Sequence, residues 1–337
     1  MKVAVLTSSW PKHRSDPGGS FVLRSCEVLQ RRGAELTVYP LEPGVELAGA
    51  GVRALGPQLD EGQGGMLARL KRRPLLAAQI IERLLARQPS WRAADRVLSH
   101  WAVPFPLMAQ AHGVPAERLR TWCHGSGLRL PGAGVALGRA HPIALVCEHQ
   151  LRHVPIRFRQ RTQVIPVPID VEPEPTRPVE KKLVFVGRLV PQKGPDLIPE
   201  ILNYLPGWRA VIVGAGPLRA PLEADERIEC LGALPTDQWI RQVGGGVGVC
   251  PARSAEGAPL VVDELRAIGL PVVVAAVDGL RQRVRHQQDG WIERSRNPKL
   301  WACAVKAAYD AAGHQKVRHD RRFGQAAWNR FADWVLD

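Results

Sequence analysis

The chain has 337 residues, 45% of them hydrophobic and 23% charged, which is globular composition with room for two domains and excludes a disordered chain. Its formal charge of +14 favours anionic partners (nucleic acid, an anionic membrane surface or a phosphorylated ligand) without choosing among them. No apolar run reaches the roughly 18 residues of a bilayer span, the residues before Ser8 are too few for a signal-peptide core, and Cys26, Cys123, Cys147, Cys230, Cys250 and Cys303 show no Cys-x-x-Cys spacing. The sequence therefore predicts a cytoplasmic protein with no zinc site or disulfide framework, its cysteines acting as small buried hydrophobes.

Lys2 to Thr7 reads as a strand, followed by a loop containing Gly18-Gly19 and a helical pattern through Phe21, Val22, Leu23, Cys26 and Leu29 that stops at Gly33. Glu35 to Leu41 is the next strand, which completes a β-α-β unit of a parallel sheet. Gly18 and Gly19 let a ligand approach the backbone at a helix start, although the dinucleotide fingerprint G-x-G-x-x-G is absent. Val52 to Leu55 is a short strand in a Gly/Pro-rich loop. Met66 to Arg87 combines leucines and isoleucines at helical spacing with six cations, broken at Pro74; this is either a core-facing helix with a solvated basic face or a surface for an anionic membrane.

Arg96 to Ser99 and Leu119 to Cys123 are strands that run directly into His100 and His124. Ligands of an open parallel sheet sit beyond the carboxyl ends of its strands, so both histidines fall where a site would be, and His124, beside Gly125, is the better candidate. Ala144 to Cys147 and Val164 to Asp170 close this half. The proline-rich residues 171–182 form a linker between an N-terminal domain at 1–170 and a second α/β domain at 183–315, and 316–337 is a C-terminal helix predicted to pack back on the first domain.

In the second half, Leu183 to Val186 is a strand, and Arg188 and Lys193 flank the loop before a helix at Pro195 to Leu205, two cations suited to a diphosphate. Strands follow at Ala210 to Val213, Ile228 to Leu231, Gly246 to Pro251 and Pro271 to Ala276, then a turn at Asp289-Gly290 enters one more at Trp291-Ile292. Between the last two long strands lies Glu256-Gly257-Ala258-Pro259-Leu260, with Glu264 on the short helical pattern that ends at Gly269. A helix N-terminus with unpaired amides can hold an anion there, and a glutamate one turn further can accept hydrogen bonds from hydroxyls. A phosphorylated, hydroxyl-rich ligand fits both; an ordinary capped strand-loop-helix unit fits the spacing equally well. The aromatics of the tail, Trp301, Tyr309, Trp328, Phe331 and Trp334, read as packing.

Taken in order, Phe185-Val186-Gly187-Arg188-Leu189, Gln192-Lys193-Gly194, Val213-Gly214-Ala215-Gly216-Pro217, Leu231-Gly232, Glu256 to Leu260, Glu264 and Gly269-Leu270-Pro271-Val272-Val273 resemble the donor domain of retaining family-4 glycosyltransferases of the GT-B fold. The resemblance implies two Rossmann-like α/β domains whose parallel sheets face a cleft, and transfer of a sugar from a nucleoside-diphosphate sugar with retention, with no metal or other cofactor. It further implies that Arg188 and Lys193 bind the diphosphate and that Glu264 accepts the ribose hydroxyls. Glu256, with the amides of Gly257, Ala258, Pro259-Leu260, would hold the donor sugar, Gly18 and Gly19 would allow closure over the phosphates, and His124 would face the sugar. Backbone groups near Gly232 to Pro235 would read the base. The acceptor is then a glycolipid, lipopolysaccharide-type or antibiotic-type scaffold, reached at the inner face of an anionic membrane in the lipid case. The chain departs from the family pattern at Ala258, where an aromatic is frequent, at Asp263, where an aliphatic is usual, and at Pro166-Val167-Pro168. The rival readings are a GT-B-like sugar-nucleotide epimerase or hydrolase and a basic nucleic-acid-binding protein, for which no nucleic-acid module is recognisable.

Overall fold

The computed structural model describes residues 1–14, 16, 18–57, 74–86, 89–130, 133–139, 142–171, 177, 179–257, 259–312 and 324–337. It divides into two compact units, Met1–Val167 with Ala326–Asp337, and Pro168–Gln325. The first unit thus ends three residues before the boundary expected at 170.

The first unit holds seven parallel strands, β1 Lys2–Thr7, β2 Glu35–Pro40, β3 Gly51–Val52, β4 Arg96–His100, β5 Leu119–Cys123, β6 Ile143–Leu145 and β7 Thr162–Val164, in the order β3-β2-β1-β4-β5-β6-β7. Helices α1 Ser20–Arg31, α2 Pro74–Leu85, α3 Pro89–Ala93, α4 Phe105–Ala111 and α5 Ala133–Arg139 lie between them. A parallel sheet is covered on both faces, so its strands carry continuous apolar runs; all five residues of β5 are buried. Helix α1 starts after Gly19, whose φ of 84° and close approach to the Ser9 and Trp10 backbone, 2.9 Å from where a Cβ would sit, leave room only for glycine. The C-terminal helix Gly324–Leu336 belongs to this unit from Ala326 onward: Phe331 stacks on Trp122 at 4.4 Å, Arg120 donates to the Trp334 carbonyl, and Asp333 pairs with Arg32 at 2.6 Å. The tail aromatics are core, as their spacing suggests.

The second unit has six parallel strands, β8 Lys182–Val186, β9 Arg209–Val213, β10 Ile228–Gly232, β11 Val247–Cys250, β12 Val272–Ala275 and β13 Trp291–Glu293, ordered β10-β9-β8-β11-β12-β13. Helices α6 Ile198–Leu202, α7 Arg219–Glu223, α8 Thr236–Val243, α9 Leu260–Ala267 and α10 Pro298–Asp310 complete it, and α10 opens with Asn297 capping the Lys299 amide ahead of the proline-started first turn. Strand residues such as Val184, Ile212 and Val273 pack with Trp208, Trp239 and Trp301 in one core. In each sheet the order of strands reverses beside the first strand, between β1 and β4 and between β8 and β11. Open parallel sheets bind ligands beyond the carboxyl ends of the strands at such reversals.

Several expected elements shift. The strand expected at Val164 to Asp170 ends at Val164, because Pro166 and Pro168 have no N–H to extend a ladder. The helix expected at Pro195 to Leu205 is a 3-10 turn at Pro195–Leu197 followed by the single-turn α6. The short strand after Val52 covers only Gly51–Val52, and the one expected at Ala144 to Cys147 is Ile143–Leu145. The described part of the basic stretch is α2, which begins at Pro74; residues 66–73 and 87 of that stretch, half of the 171–182 linker, and 313–323 lie outside the described residues. All six cysteines are free, but only Cys26, Cys123 and Cys250 are fully buried, and Cys303 is exposed. Among the described residues no helix is long and apolar enough to cross a membrane.

Candidate active site

At the reversal point of the second sheet, the loop after β8 and the loop after β11 lie backbone against backbone. Gly194, with φ 70°, would place a Cβ 2.1 Å from the Pro251 carbonyl, and the Arg253 amide donates to the Gln192 carbonyl at 2.9 Å. This contact brings together two residues 63 positions apart in sequence: the Lys193 ammonium lies 2.8 Å from Glu256 Oε2, both side chains largely buried at 25% and 16% exposure. Arg188, on the same β8 loop, is exposed to solvent. Pro259 caps α9 and Leu260 opens it, so the orphan amides of the helix start follow directly on the Glu256 loop, with Gly257 between them; Ala258 lies outside the described residues. A lysine ammonium, an exposed guanidinium and a helix N-terminus together can neutralise an anion, and an anion that took over the ammonium would free Glu256 from its pair with Lys193.

The Glu256 loop is also fixed from the other side. Its amide donates to the Asp278 carbonyl at 2.8 Å, and a Cβ on Gly279, at φ 91°, would sit 2.0 Å from the Glu256 carbonyl. Gly279→Ala is therefore expected to push the Glu256 loop away and lower Tm by several degrees, which thermal unfolding followed by circular dichroism would read.

Glu264 stands in the second turn of α9. The residue keeps some surface, but protein encloses its carboxyl, which among the described residues accepts a long 3.4 Å hydrogen bond from the Thr236 hydroxyl at the start of α8. Burial, reinforced by the neighbouring charges of Asp263 and Asp170, raises its pKa from 4.5 to about 7, with the Thr236 bond opposing. A carboxyl so poorly solvated gains from any hydroxyl that reaches it. Thr236 follows Pro235, so the Gly232 to Pro235 loop borders this carboxyl. Thr236 itself was not foreseen from the sequence, and nothing local in the sequence marks it.

In the first unit, β4 and β5 are paired with His100 opposite Trp122, which places His100 and His124 at neighbouring strand ends. Their rings stack at 13°, 5.2 Å apart, with His100 Nδ1 and His124 Nε2 separated by 3.0 Å. Phe21, Trp101 and Trp122 surround His124 at 4.7, 5.1 and 4.8 Å, and the outer nitrogens, His100 Nε2 and His124 Nδ1, are buried without hydrogen-bond partners. One ring donates to the other across this contact, and burial disfavours the charged form of both. Burial pushes His100 down to about 3, and burial together with His100 pushes His124 well below its ordinary value. Folded pKa values lowered in this way contribute stability that is present above about pH 6.5 and lost as pH falls. Stability is expected to drop by up to ~1.4 kcal/mol per pH unit for each histidine below pH 6.5, a slope that urea titrations of His100→Phe should show flattened. Gly18 and Gly19 sit at the start of α1, and Gly18's amide donates to Asp16.

Two parallel sheets with Rossmann-type strand order, one carrying a cation, a glutamate and a helix start at its reversal point, define a GT-B architecture. Residues 180–311 match the family model described as glycosyl transferases group 1. The chain is 28% identical over 292 residues to the D-inositol 3-phosphate glycosyltransferase of Mycobacteroides abscessus, an alignment that covers 75% of this chain and 63% of that protein. The chain thus spans less than two thirds of that relative's length. Its fold is similar to the apo form of the lipopolysaccharide outer core galactosyltransferase WaaB, with a TM-score of 0.72 at 14% identity over 100% of this chain and 99% of that one. It is also similar to HepE from Anabaena in complex with UDP and glucose, with a TM-score of 0.68 at 16% identity over 99% and 98% of the two chains.

Proposed function

We propose that the protein is a glycosyltransferase that moves a sugar from a nucleoside-diphosphate sugar to an acceptor with retention of configuration and without a metal or other cofactor. The observation that carries this reading is the grouping, at one strand-order reversal, of the Lys193–Glu256 pair, the α9 N-terminus and the enclosed carboxyl of Glu264. In this reading the diphosphate displaces Glu256 from Lys193 and, with Arg188 and the α9 amides, has its developing charge stabilised as the sugar–phosphate bond breaks. Glu256 and the backbone of Gly257 to Leu260 then hold the sugar, and Glu264 receives the ribose hydroxyls; His124, expected to face the sugar, instead has both ring nitrogens buried, one of them against His100.

The UDP complex of HepE supports a uridine nucleotide as the first donor to try. For the acceptor, helix α2 supports a lipid-linked scaffold over a soluble one: Leu75, Ile81 and Leu85 are 81%, 56% and 65% exposed, and a cation-rich stretch precedes them in sequence. The protein then works at the cytoplasmic face of an anionic membrane. Flotation with vesicles containing anionic lipid is expected to carry the protein up, and to do so less for Leu75→Ser/Ile81→Ser; flotation unchanged by the substitutions contradicts the lipid contact. For the reaction, the chain is incubated with UDP-glucose and UDP-galactose, with and without candidate lipid acceptors, and anomeric protons are followed by NMR. An axial glycoside supports retaining transfer. An equatorial one contradicts retention, and interconversion of donors without acceptor favours the epimerase reading.

A further inference from the structure

We propose that the buried Asp263–Arg283 ion pair is a positioning clamp that keeps Glu256 and Glu264 in register for the nucleotide, a role that rests on the donor-site reading above. On helix α9, Asp263 is buried alongside the apolar residues Val262, Leu265 and Ala267. The carboxylate is fully buried, and its partner Arg283, 20 residues away, is 4% exposed and in direct hydrogen-bond contact with Asp263 Oδ2. The cluster extends further: Arg266 donates to the Arg283 carbonyl at 3.0 Å and pairs with Asp289 at 3.4 Å, and Asp289 in turn holds Arg285 at 2.7 Å.

Following the chain from this pair shows what it connects. Asp263 is adjacent to Glu264 on α9. Arg283 ends a turn whose amides bond back onto it, Arg283 to the Leu280 carbonyl and Arg281 to the Val277 carbonyl. That turn begins at Asp278 and Gly279, the two residues that hold the Glu256 backbone. The ion pair therefore closes a loop of contacts running from Glu256 through the 278–283 turn to α9 and Glu264. Asp263 also contributes charge to the Glu264 environment, after burial and beside Asp170, so it acts on Glu264 by field as well as by position. A buried pair is a costly way to fill space, and apolar residues of similar volume often replace one without loss of stability. That property makes position separable from fold.

The test uses Asp263→Leu/Arg283→Met, which removes both charges together, and Arg283→Lys, which keeps the charge and shortens the reach, should the double variant fail to accumulate. Amide hydrogen exchange, carboxyl-carbon NMR and UDP calorimetry are compared with the unmodified chain. The clamp predicts unchanged protection in β8 and β11, at least tenfold faster exchange at the Glu256 amide, a Glu264 carboxyl in the double variant that titrates below about 7, and at least tenfold weaker UDP binding. Unchanged Glu256 protection, or loosened Glu256 with full UDP affinity, overturns the proposal. If the unmodified chain binds no nucleotide, the donor-site reading fails with the nucleotide role of the clamp, while the exchange data still decide whether the pair holds Glu256.

Discussion

Asp263→Leu with Arg283 left in place is expected to cost about 3–5 kcal/mol of stability, the usual penalty when one member of a buried ion pair is removed. The surviving guanidinium is 3% exposed and lies beside Arg266, which is also buried and pairs with Asp289, so Arg283 would lose the one carboxylate it is paired with among the described residues. Neither can reach water without opening the core around α9. The half-buried surface pair Arg24–Glu27, at 30% and 29% exposure, sets the contrast: breaking it is expected to change stability by less than ~1 kcal/mol, because water can reach the lost partner's place. Urea unfolding of the two single variants, Asp263→Leu and Glu27→Gln, measures both ends of this range. A cost for Asp263→Leu as small as that for Glu27→Gln would mean that solvent enters the cluster.

Glu264→Gln is expected to stabilise the protein above pH 7 by on the order of 3 kcal/mol while weakening nucleotide binding. The sign follows from the raised pKa. Between 4.5 and about 7 the folded chain holds a proton that the unfolded chain has released, so the contribution of Glu264 is fully present below pH 4.5 and is lost as pH rises through about 7. Glutamine fills the same space and never ionises, so the two proteins should be equally stable at pH 4.5 and diverge with rising pH. Denaturant midpoints at pH 4.5, 6 and 8 test this. A carboxyl kept at a stability cost is the trade expected of a binding residue rather than a structural one. Equal stability at all three values would place the carboxyl in water.

The strands were the most legible part of the sequence. Val3 to Thr7 and Ala210 to Val213 are buried and so read as unbroken apolar or β-branched runs, Leu119 to Cys123 reads the same way apart from Arg120, and glycine at 33, 194 and 269 marks where chain direction changes. The residues grouped at the second sheet's reversal point were legible from local chemistry, since cations and glutamates beside glycine loops are informative without any knowledge of pairing. What stayed hidden depends on which distant segments become neighbours. His100 and His124 each looked like a lone histidine after a strand; only the pairing of β4 with β5 makes them one stacked pair. Thr236 is 28 residues from the carboxyl it touches, and Asp263 showed only as a departure from an aliphatic pattern, its partner in a turn with no periodicity. Short helices such as α4 and α8 were passed over because fewer than three turns leave too little periodicity to separate from a loop.

The measurement closest to the central claim is calorimetric titration of the protein with UDP, GDP and dTDP, repeated with Glu264→Ala. The account predicts that one nucleotide, with UDP the first candidate, binds clearly and that its affinity falls at least tenfold in the variant while the variant remains folded. No binding of any of the three, or binding that Glu264→Ala leaves unchanged, contradicts the assignment of this strand-order reversal as a nucleotide-sugar donor site.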